Sequence, residues 1–385
     1  FWLHGLQHGH QAGYEQYCPE IQAAKAGKFA LTEENPLNYA YHLDATLYAK
    51  FLRNFSENLG VNRIEGKITT VAKDPKSGDI SSLTLASGKV ITADLFIDCT
   101  GFASLLIEKA LHTGFEDWSH VLPCDSAVAV QTTSIDDPIP YTRSIAHASG
   151  WQWRIPLQSR VGNGLVYCSK QLSDDDAKKL LLENIIGETI TEPRVIKYRT
   201  GKRRKAWNKN CIAVGLSSGF IEPLESTSIH LIMSSILRLI VLFPFEGIEQ
   251  SLVDEYNQQF DDELNHVRDF IIMHYKVTER DDSEFWRYCK NMAVPQSLAH
   301  RIQLFEDTAR LQIGTDELFH VDSWSQVMIG QGLLPKQYHQ IANVMPQSEL
   351  DRFLTSLKDK VSYTVERLPS HQTFINKYCL STPTP

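Results

Sequence analysis

Apolar side chains recur at helical spacing after Asp44 and predict the clearest helix of the chain. Asp44 is a residue type that caps helix starts, and Gly60, which follows the last apolar position, is one that ends helices. Residues 174–186 and 229–243 predict two further helices, and the pattern from residue 252 onward is mostly helical. The apolar stripe of the first helix consists of Leu47, Tyr48, Phe51, Leu52, Phe55 and Leu59.

Shorter apolar runs predict strands in the first two thirds of the chain. Residues 61–91 predict strands joined by glycine-containing turns, and residues 124–170 predict an antiparallel sheet. Residues 94–102 are continuously apolar up to an acidic residue and a glycine, which is typical of a strand inside a parallel sheet. Residues 194–198 and 211–215 predict two more strands. Together with the helices, these strands predict an α/β (α+β) fold.

The first 35 residues show weak periodicity, and they predict mostly loop with one short helix at 20–26. The chain starts with Phe1 and Trp2 in a His- and Gly-rich stretch, without a methionine and without a strand ahead of it. We therefore expect that a preceding segment is missing.

Composition narrows the class of protein. The formal net charge is -8, so no overall positive field would attract nucleic acid or an anionic membrane. The longest apolar run, residues 229–243, contains His230 and Arg238 and is too short to span a bilayer. The 7 cysteines are scattered and form no C-x-x-C pair, which indicates a reducing, cytoplasmic environment and no metal site.

The stretch from Gly219 to Ile229 lies between a predicted strand and a predicted helix, where open α/β sheets bind ligands. Pro223 favours extended geometry before it, and the run Ser226–Ser228 has the residue types that cap helices. Free amides and the helix dipole would favour a small anion there. Glu225 is a carboxylate beside this anion site, and the conflict of charge suggests chemistry.

A second motif is Gly150–Pro156, in which Trp151 and Trp153 lie on one face of a strand. Paired aromatic residues are usually core, but the whole motif, Gly-Trp-x-Trp-x-Ile-Pro, resembles that of the flavin-dependent halogenases, the family that includes the tryptophan halogenases. Three segments are similar to that family in the same order: residues 98–102, 214–216 and 220–227.

The resemblance implies an FAD/NAD(P)-binding fold of the glutathione-reductase-like and para-hydroxybenzoate-hydroxylase-like type, with an antiparallel sheet and a helical C-terminal part. It implies an FAD-binding and halogenase core over residues 1–250 and a mainly helical, substrate-side subdomain over residues 251–385. The glycine-rich βαβ unit and the catalytic lysine of the family have no counterpart in this sequence, and we expect them in the missing N-terminal segment.

The implied activity is FADH2-dependent halogenation. A separate flavin reductase supplies FADH2, chloride or bromide is oxidised with oxygen to a hypohalous species, and an electron-rich aromatic such as an indole is halogenated. The resemblance is compatible with a homodimer. Two alternatives stay open: an aromatic FAD monooxygenase, and a catalytically inactive flavin-binding homologue. A glycine fingerprint and a lysine in the upstream coding sequence would favour catalysis.

The resemblance also implies residue roles. Glu225 resembles the glutamate that helps deprotonate the ring intermediate, with Ser226 beside it, and the amides of Thr227 and Ser228 resemble the halide site. Trp151 and Trp153 resemble the wall that keeps the substrate away from the flavin. The implied cofactor-binding residues are Ile68, Asp98, Thr100, Gly101, Leu216 and Ile229.

Two departures from the family concern the substrate. His4 and Leu6 resemble a segment in which a histidine and an aromatic residue hold the indole, but Leu6 stands where the aromatic residue would be. Ser228 stands where tryptophan halogenases tend to have glycine. Both departures argue against tryptophan itself as the substrate.

Overall fold

The structure, a computed structural model, describes residues 1–33 and 37–381. Its α-helices are α1 (Trp2–Gln7), α2 (Pro19–Lys25), α3 (Ala45–Asn58), α4 (Asp174–Glu183), α5 (Ser228–Val241), α6 (Gln250–Lys276), α7 (Glu284–Asn291), α8 (Gln296–Thr308), α9 (Val321–Gly330), α10 (Gln347–Arg367) and α11 (His371–Tyr378). Its strands are β1 (Ile68–Lys73), β2 (Ile80–Leu85), β3 (Val90–Ile91), β4 (Phe96–Asp98), β5 (Phe115–Asp117), β6 (Ser126–Thr132), β7 (Arg143–His147), β8 (Gly150–Pro156), β9 (Val161–Tyr167), β10 (Arg194–Lys197), β11 (Gly201–Arg203), β12 (Trp207–Asn208), β13 (Cys211–Ala213) and β14 (Gly219–Phe220).

The five-stranded sheet confirms the antiparallel sheet predicted for residues 124–170. Its strand order is β10-β6-β9-β8-β7, and every neighbouring pair is antiparallel. In its register Trp151 lies opposite Val166, and Trp153 lies opposite Gly164. This sheet therefore carries the Trp motif on an inner strand.

Three small sheets complete the strand structure of the described residues: β1-β2-β3, β14-β11-β5 and β12-β13-β4. The pairing of β13 with β4 is parallel and brings Asp98 opposite Ala213. The predicted strand at 94–102 is shorter than expected, because Thr100 turns back to bond the Asp98 carboxylate through both its amide and its hydroxyl, at 2.9 and 2.6 Å. The two parallel strands end side by side, so the turns that follow them lie close together.

The N-terminal region is more ordered than its periodicity predicts. Besides α1 and α2, a 3-10 turn spans Tyr14–Tyr17. The indole N–H of Trp2 donates to the carbonyl oxygen of Ala12 at 2.8 Å, and α1 packs against α10. The prediction of mostly loop was wrong for residues 1–33, because these long-range contacts stabilise short helices. The last two residues that the prediction covered, 34 and 35, lie outside the described part of the chain.

Helix α3 begins and ends where its sequence predicts. The Asp44 carboxylate accepts hydrogen bonds from the amides of Thr46 and Leu47, at 2.9 and 3.2 Å. Its apolar stripe is nevertheless exposed: Phe51 is 63% exposed and Leu59 72%. Amphipathic spacing thus predicts the helix but not what covers its apolar face.

The largest hydrophobic core joins the two halves of the chain. It packs α6 residues such as Phe260 and Ile272 against Trp151 of β8 and Trp207 of β12. The predicted boundary at residue 250 therefore separates two segments that share one core. The last four residues of the predicted C-terminal subdomain, 382–385, lie outside the part of the chain that the structure describes.

Helix α5 occupies almost the range that its sequence predicts. It runs from Ser228 to Val241, and its mid-helix Arg238 is buried against Glu263 of α6, with 2.7 Å between the guanidinium and the carboxylate oxygen. Over the residues that the structure describes, neither α5 nor any other helix combines the length and apolarity needed to cross a bilayer.

Candidate functional site

The loop from Gly219 to Ser228 connects β14 to α5. The structure corrects the predicted direct strand-to-helix junction, because β14 intervenes after β13 and pairs with β11. A 3-10 turn over Pro223–Glu225 then precedes the helix. Glu222 is extended, with φ -55° and ψ 155°, as expected of a residue before proline.

Glu225 faces a histidine from α6. Its Oε1 lies 2.9 Å from Nε2 of His274, and the two side chains are 33% and 13% exposed. The other ring nitrogen of His274, Nδ1, lies 2.8 Å from the carbonyl oxygen of Phe270, one turn earlier in the helix. The carboxylate is thus held by a side chain that is itself anchored to a buried helix.

Glu222, on the same loop, is fully buried. Its Oε1 accepts a hydrogen bond from the indole N–H of Trp151 at 3.1 Å and one from the hydroxyl of Tyr275. Its Oε2 has no partner within the described residues. Burial raises the pKa of Glu222 to about 7, although the two donors and the nearby His274 favour the ionised form.

The start of α5 lacks the predicted caps. Thr227 occupies the N-cap position, and no side chain of the described residues caps the first turn, so the Ser and Thr hydroxyls do not play the role that their residue types predict. Ser226 has φ 54°, the left-handed region that residues with a side chain rarely adopt. The first amides of α5 therefore lie beside a strained residue and lack side-chain acceptors, which leaves them available to an anion.

Three of the six implied cofactor residues come together at the ends of the parallel strands. The turn at Gly101 contacts the turn at Gly215–Ser217, with the Ser217 hydroxyl donating to the Gly101 carbonyl oxygen at 3.2 Å. Helix α5 packs on the second turn. Leu216 and Ile229 are 39% and 41% exposed there. A cavity of about 140 Å³ lies here, and its lining includes Leu216, Phe102 and Phe220.

The other three implied cofactor residues are placed differently. Asp98 is buried, and its carboxylate accepts hydrogen bonds from Thr100, from the amides of Leu106 and Ile107, and from the Ser217 hydroxyl. Its oxygens thus hold the turn together. Thr100 donates to Asp98 through its hydroxyl. Ile68, the first residue of β1, packs against a separate hydrophobic core cluster, and no described contact brings it to the exposed turns.

The Trp pair lies inside the molecule. The two indole rings are 6.0 Å apart between centroids and inclined by 56°. Trp151 is only 3% exposed and bonds Glu222, whereas Trp153 is half-buried. Trp153 lies over Gly164 so closely that a Cβ there would come within 1.9 Å of its ring. Glycine at 164 therefore makes room for the indole.

His4 and Leu6 lie on α1, away from the loop contacts. His4 is buried, its ring stacks on Tyr338 with 5.0 Å between centroids, and its Nδ1 lies 3.0 Å from the carbonyl oxygen of Ala342. Leu6 is half-buried and offers no aromatic face. No described contact joins α1 to the Trp pair or to Glu225.

A groove of about 1570 Å³ lies elsewhere, along the exposed face of α3, the end of β8 and helix α11. Its lining includes Tyr39, Phe51, Pro156 and Phe374, but none of the residues implied for the site. Volume alone therefore does not indicate the site in the described part of the chain.

Sequence reasoning missed the partners of the two loop glutamates. His274, Tyr275 and Glu222 were assigned no role from the sequence. Among the described residues, no group of three or more His, Cys, Asp and Glu side chains is placed to hold a metal ion. A His-Tyr pair at a helix end was the available signal, but only tertiary packing brings residues 274 and 275 to the loop.

Most of the chain matches one known protein family. The sequence model described as tryptophan halogenase matches residues 1–347. The tryptophan 7-halogenase RebH of Lentzea aerocolonigenes is 35% identical over 381 residues, which cover 93% of this chain and 72% of that protein. The tryptophan 6-halogenase ThaL of Streptomyces albogriseolus is 34% identical, with 91% of this chain and 70% of that protein covered.

Solved structures give the same result. Xcc4156, a flavin-dependent halogenase from Xanthomonas campestris, superposes with a TM-score of 0.98 at 47% identity, covering 100% of this chain and 78% of that one. BrvH, a flavin-dependent halogenase from Brevundimonas sp. BAL3, superposes with a TM-score of 0.95 at 43% identity, covering 97% and 78%.

The matches start at the first residue of the chain, so they do not support the prediction that an N-terminal βαβ unit is missing. They do agree with the predicted α/β architecture of mixed helices and sheets. The matches of sequence and of fold lead to one conclusion. The chain belongs to the tryptophan halogenase family of flavin-dependent halogenases.

Proposed function

We propose that this oxidoreductase halogenates an electron-rich aromatic ring, such as a free indole, with Glu225 as the base of the reaction. The observation that carries the proposal is the position of Glu225. Its carboxylate is anchored by His274, and it immediately precedes a helix start without a side-chain cap. A base and an anion site thus occur within four consecutive residues, 225–228.

The halide is proposed to bind at the amides of Thr227 and Ser228. The first turn of α5 leaves these donors without a side-chain acceptor, and the helix dipole favours negative charge there. The left-handed backbone of Ser226 sets the direction in which the chain enters the helix. Chloride and bromide both fit this chemistry, since backbone amides recognise charge and size but not chemical type.

The fold of the chain is proposed to be the FAD-binding fold that its resemblance implies. Gly101, Leu216 and Ile229 would contact the cofactor, because the two turns expose backbone and apolar side chains at one edge. Asp98 and Thr100 would support that edge from behind through their mutual hydrogen bonds. FAD, when bound, supplies the chemistry that oxidises halide to a hypohalous species. Trp151 and Trp153 would separate it from the substrate, with Trp151 fixed by Glu222.

Within this scheme Glu225 takes a proton from the halogenated ring. The C–H bond at the substituted carbon breaks, its electron pair restores the aromatic ring, and the proton passes to a carboxylate oxygen of Glu225. One third of this side chain is exposed, so the proton has a path to water. Ser226, exposed and adjacent, is placed to orient the ring or a water molecule.

The substrate is proposed to lack the amino-acid group of tryptophan. His4 already stacks on Tyr338, and Leu6 contributes no second aromatic face. Losing one aromatic contact forfeits about 0.5 to 1.5 kcal/mol beyond its buried area. The ammonium and carboxylate of tryptophan would also need charged partners, without which their desolvation is costly.

A competition assay tests this function. The protein is supplied with a flavin reductase, FAD, bromide and an equal mixture of indole and tryptophan, and the products are read by mass spectrometry. We expect brominated indole in about tenfold excess over brominated tryptophan. Leu6→Phe should narrow this ratio, whereas Leu3→Phe on the same helix should not. Selective bromination of tryptophan would overturn the substrate assignment, and hydroxylated products without bromine would overturn the chemistry.

The proposal further includes a diffusing flavin reductase as the source of FADH2, action in the cytoplasm, and assembly as a homodimer. All seven cysteines are free, which supports a reducing compartment.

A further inference from the structure

His274 lies between two hydrogen-bond acceptors. Its Nδ1 is 2.8 Å from the carbonyl oxygen of Phe270, and its Nε2 is 2.9 Å from Oε1 of Glu225. A carbonyl oxygen can only accept, so Nδ1 carries a hydrogen. A neutral imidazole has one N–H, and that N–H is already used toward Phe270.

The Nε2 contact therefore needs a second proton. Either Nε2 is protonated and donates to an ionised Glu225, or Glu225 is protonated and donates to Nε2. Both arrangements place one proton between the histidine and the glutamate. A neutral histidine facing an ionised carboxylate would instead bring two acceptors to 2.9 Å without a hydrogen, which is unfavourable.

The helix that carries His274 is held rigidly. The ring of His274 meets Phe270 edge to face, with 5.0 Å between centroids, and Phe270 stacks on Phe319 at 3.9 Å. The next residue, Tyr275, donates to Glu222. Two consecutive residues of α6 thus bind both carboxylates of the loop.

We propose that His274 is the positioning residue of Glu225 and that it shares one proton with this carboxylate. This inference rests on the proposed role of Glu225 as the base. The bond to Nε2 fixes Oε1, so that Oε2 is the oxygen that receives the ring proton. The shared proton also offsets the negative charge of the carboxylate beside the halide amides. Among the described residues, two charged or titratable groups are recorded as interacting with His274. They are Glu225, through Nε2, and the buried Glu222.

The first test measures kinetics with the flavin reductase, FAD, bromide and indole. His274→Ala should lower kcat by about 10²-fold, because a catalytic group that is misplaced by about 1 Å loses about that much. KM for indole should stay within about threefold. His274→Gln retains an N–H donor but cannot share a proton, and we expect a kcat between those of wild type and His274→Ala. An unchanged kcat in His274→Ala would overturn the proposal.

The matched control is His266→Gln. His266 lies on the same helix and makes no hydrogen bond or ion pair within the described residues, so its replacement should leave both kcat and KM unchanged. A loss of kcat in this variant equal to that of His274→Ala would show that the effect comes from the helix and would contradict the specific role of His274.

The second test does not require turnover. In protein labelled with ¹⁵N-histidine, the ring signals of His274 are assigned by their disappearance in His274→Gln. We expect a shared or bound proton at Nε2 in the wild type at pH 7.5, and the neutral tautomer with hydrogen only on Nδ1 in Glu225→Gln. The proposal would be overturned by two observations together. The His274 imidazole would be neutral, with hydrogen only on Nδ1, in both proteins, and ¹³C spectra of the wild type would show no proton on the Glu225 carboxyl group.

These readouts separate the two hypotheses. If the wild type halogenates no aromatic ring but the Nε2 proton is present and depends on Glu225, the proposed function fails while the shared proton stands. If halogenation proceeds and depends on Glu225 but His274→Ala matches the wild type, only the role of His274 fails.

Discussion

Glu222 and Glu225 lie three residues apart on one loop, but the structure gives them opposite environments. Glu222 is buried, its bound oxygen contacts Trp151 and Tyr275, and burial raises its pKa to about 7. Glu225 is one-third exposed and contacts an ionisable histidine. The comparison teaches that chemistry needs access as well as charge: a buried carboxyl fixes the loop, whereas an exposed, anchored one can accept a proton.

Replacing each glutamate by glutamine should show the difference between the two positions most strongly in the rate of turnover. Glu225→Gln should lower halogenation by about 10²-fold or more, because the amide cannot act as a base. Glu222→Gln keeps the volume of the side chain and should leave turnover within about tenfold. Initial rates with bromide and indole, alongside circular dichroism to verify folding, give the result. Equal losses in the two variants would mean that the loop glutamates do not differ in role.

The second difference concerns stability and pH. The raised pKa means that the folded protein holds a proton on Glu222 between about pH 4.5 and 7, where the unfolded chain does not. The folded state therefore binds more protons, and the stability that this group contributes is present at low pH and is lost as the pH rises through 7. The change amounts to about 2 to 3 kcal/mol between pH 5 and 8.

Urea unfolding at pH 5, 6, 7 and 8 measures this effect. The advantage of wild type over Glu222→Gln in free energy of unfolding should shrink as the pH rises. Tyr275→Phe removes a donor to the ionised form and should move the loss of stability to higher pH. A parallel pH dependence in wild type and Glu222→Gln would contradict the assignment.

The smallest expected effect concerns the halide. Because Glu225 shares one proton with His274, Glu225→Gln replaces one pair without net charge by another, and it should change bromide affinity by less than about threefold. Glu222→Gln should leave bromide affinity unchanged. Calorimetric titration gives the affinities, and anomalous scattering from bromide-soaked crystals gives the position. Bromide density only at other places would rule out the helix start as the halide site.

Much of the local structure could be predicted from the sequence. The spacing of apolar residues predicts α3, α4, α5 and the antiparallel strands, because these elements depend on periodicity within a short window. The anion-friendly start of α5 was predicted for a partly wrong reason, since the Ser and Thr hydroxyls do not cap it. Residue type predicts that a cap is available, but backbone geometry decides whether it forms.

The pairing of residues distant in the chain could not be predicted in this way. A role at the cofactor stays a prediction for Asp98, but only the structure shows that its oxygens hold a turn together. The wall between substrate and flavin likewise stays a prediction for Trp151, but only the structure shows its burial and its bond to Glu222. The partners of these two side chains lie up to 119 positions away in the chain.

The sequence by itself determined helices α3, α4 and α5, the antiparallel strands of the five-stranded sheet, the halogenase motifs, and the presence of a carboxylate beside a helix start. Those features depend on neighbours within a few residues, or on motifs that are read directly. Only the tertiary structure decided which loop glutamate is buried and which is paired with His274, because α6 approaches the loop from 49 positions further along the chain. Burial and the geometry of a shared proton depend on that approach, and no local pattern records it.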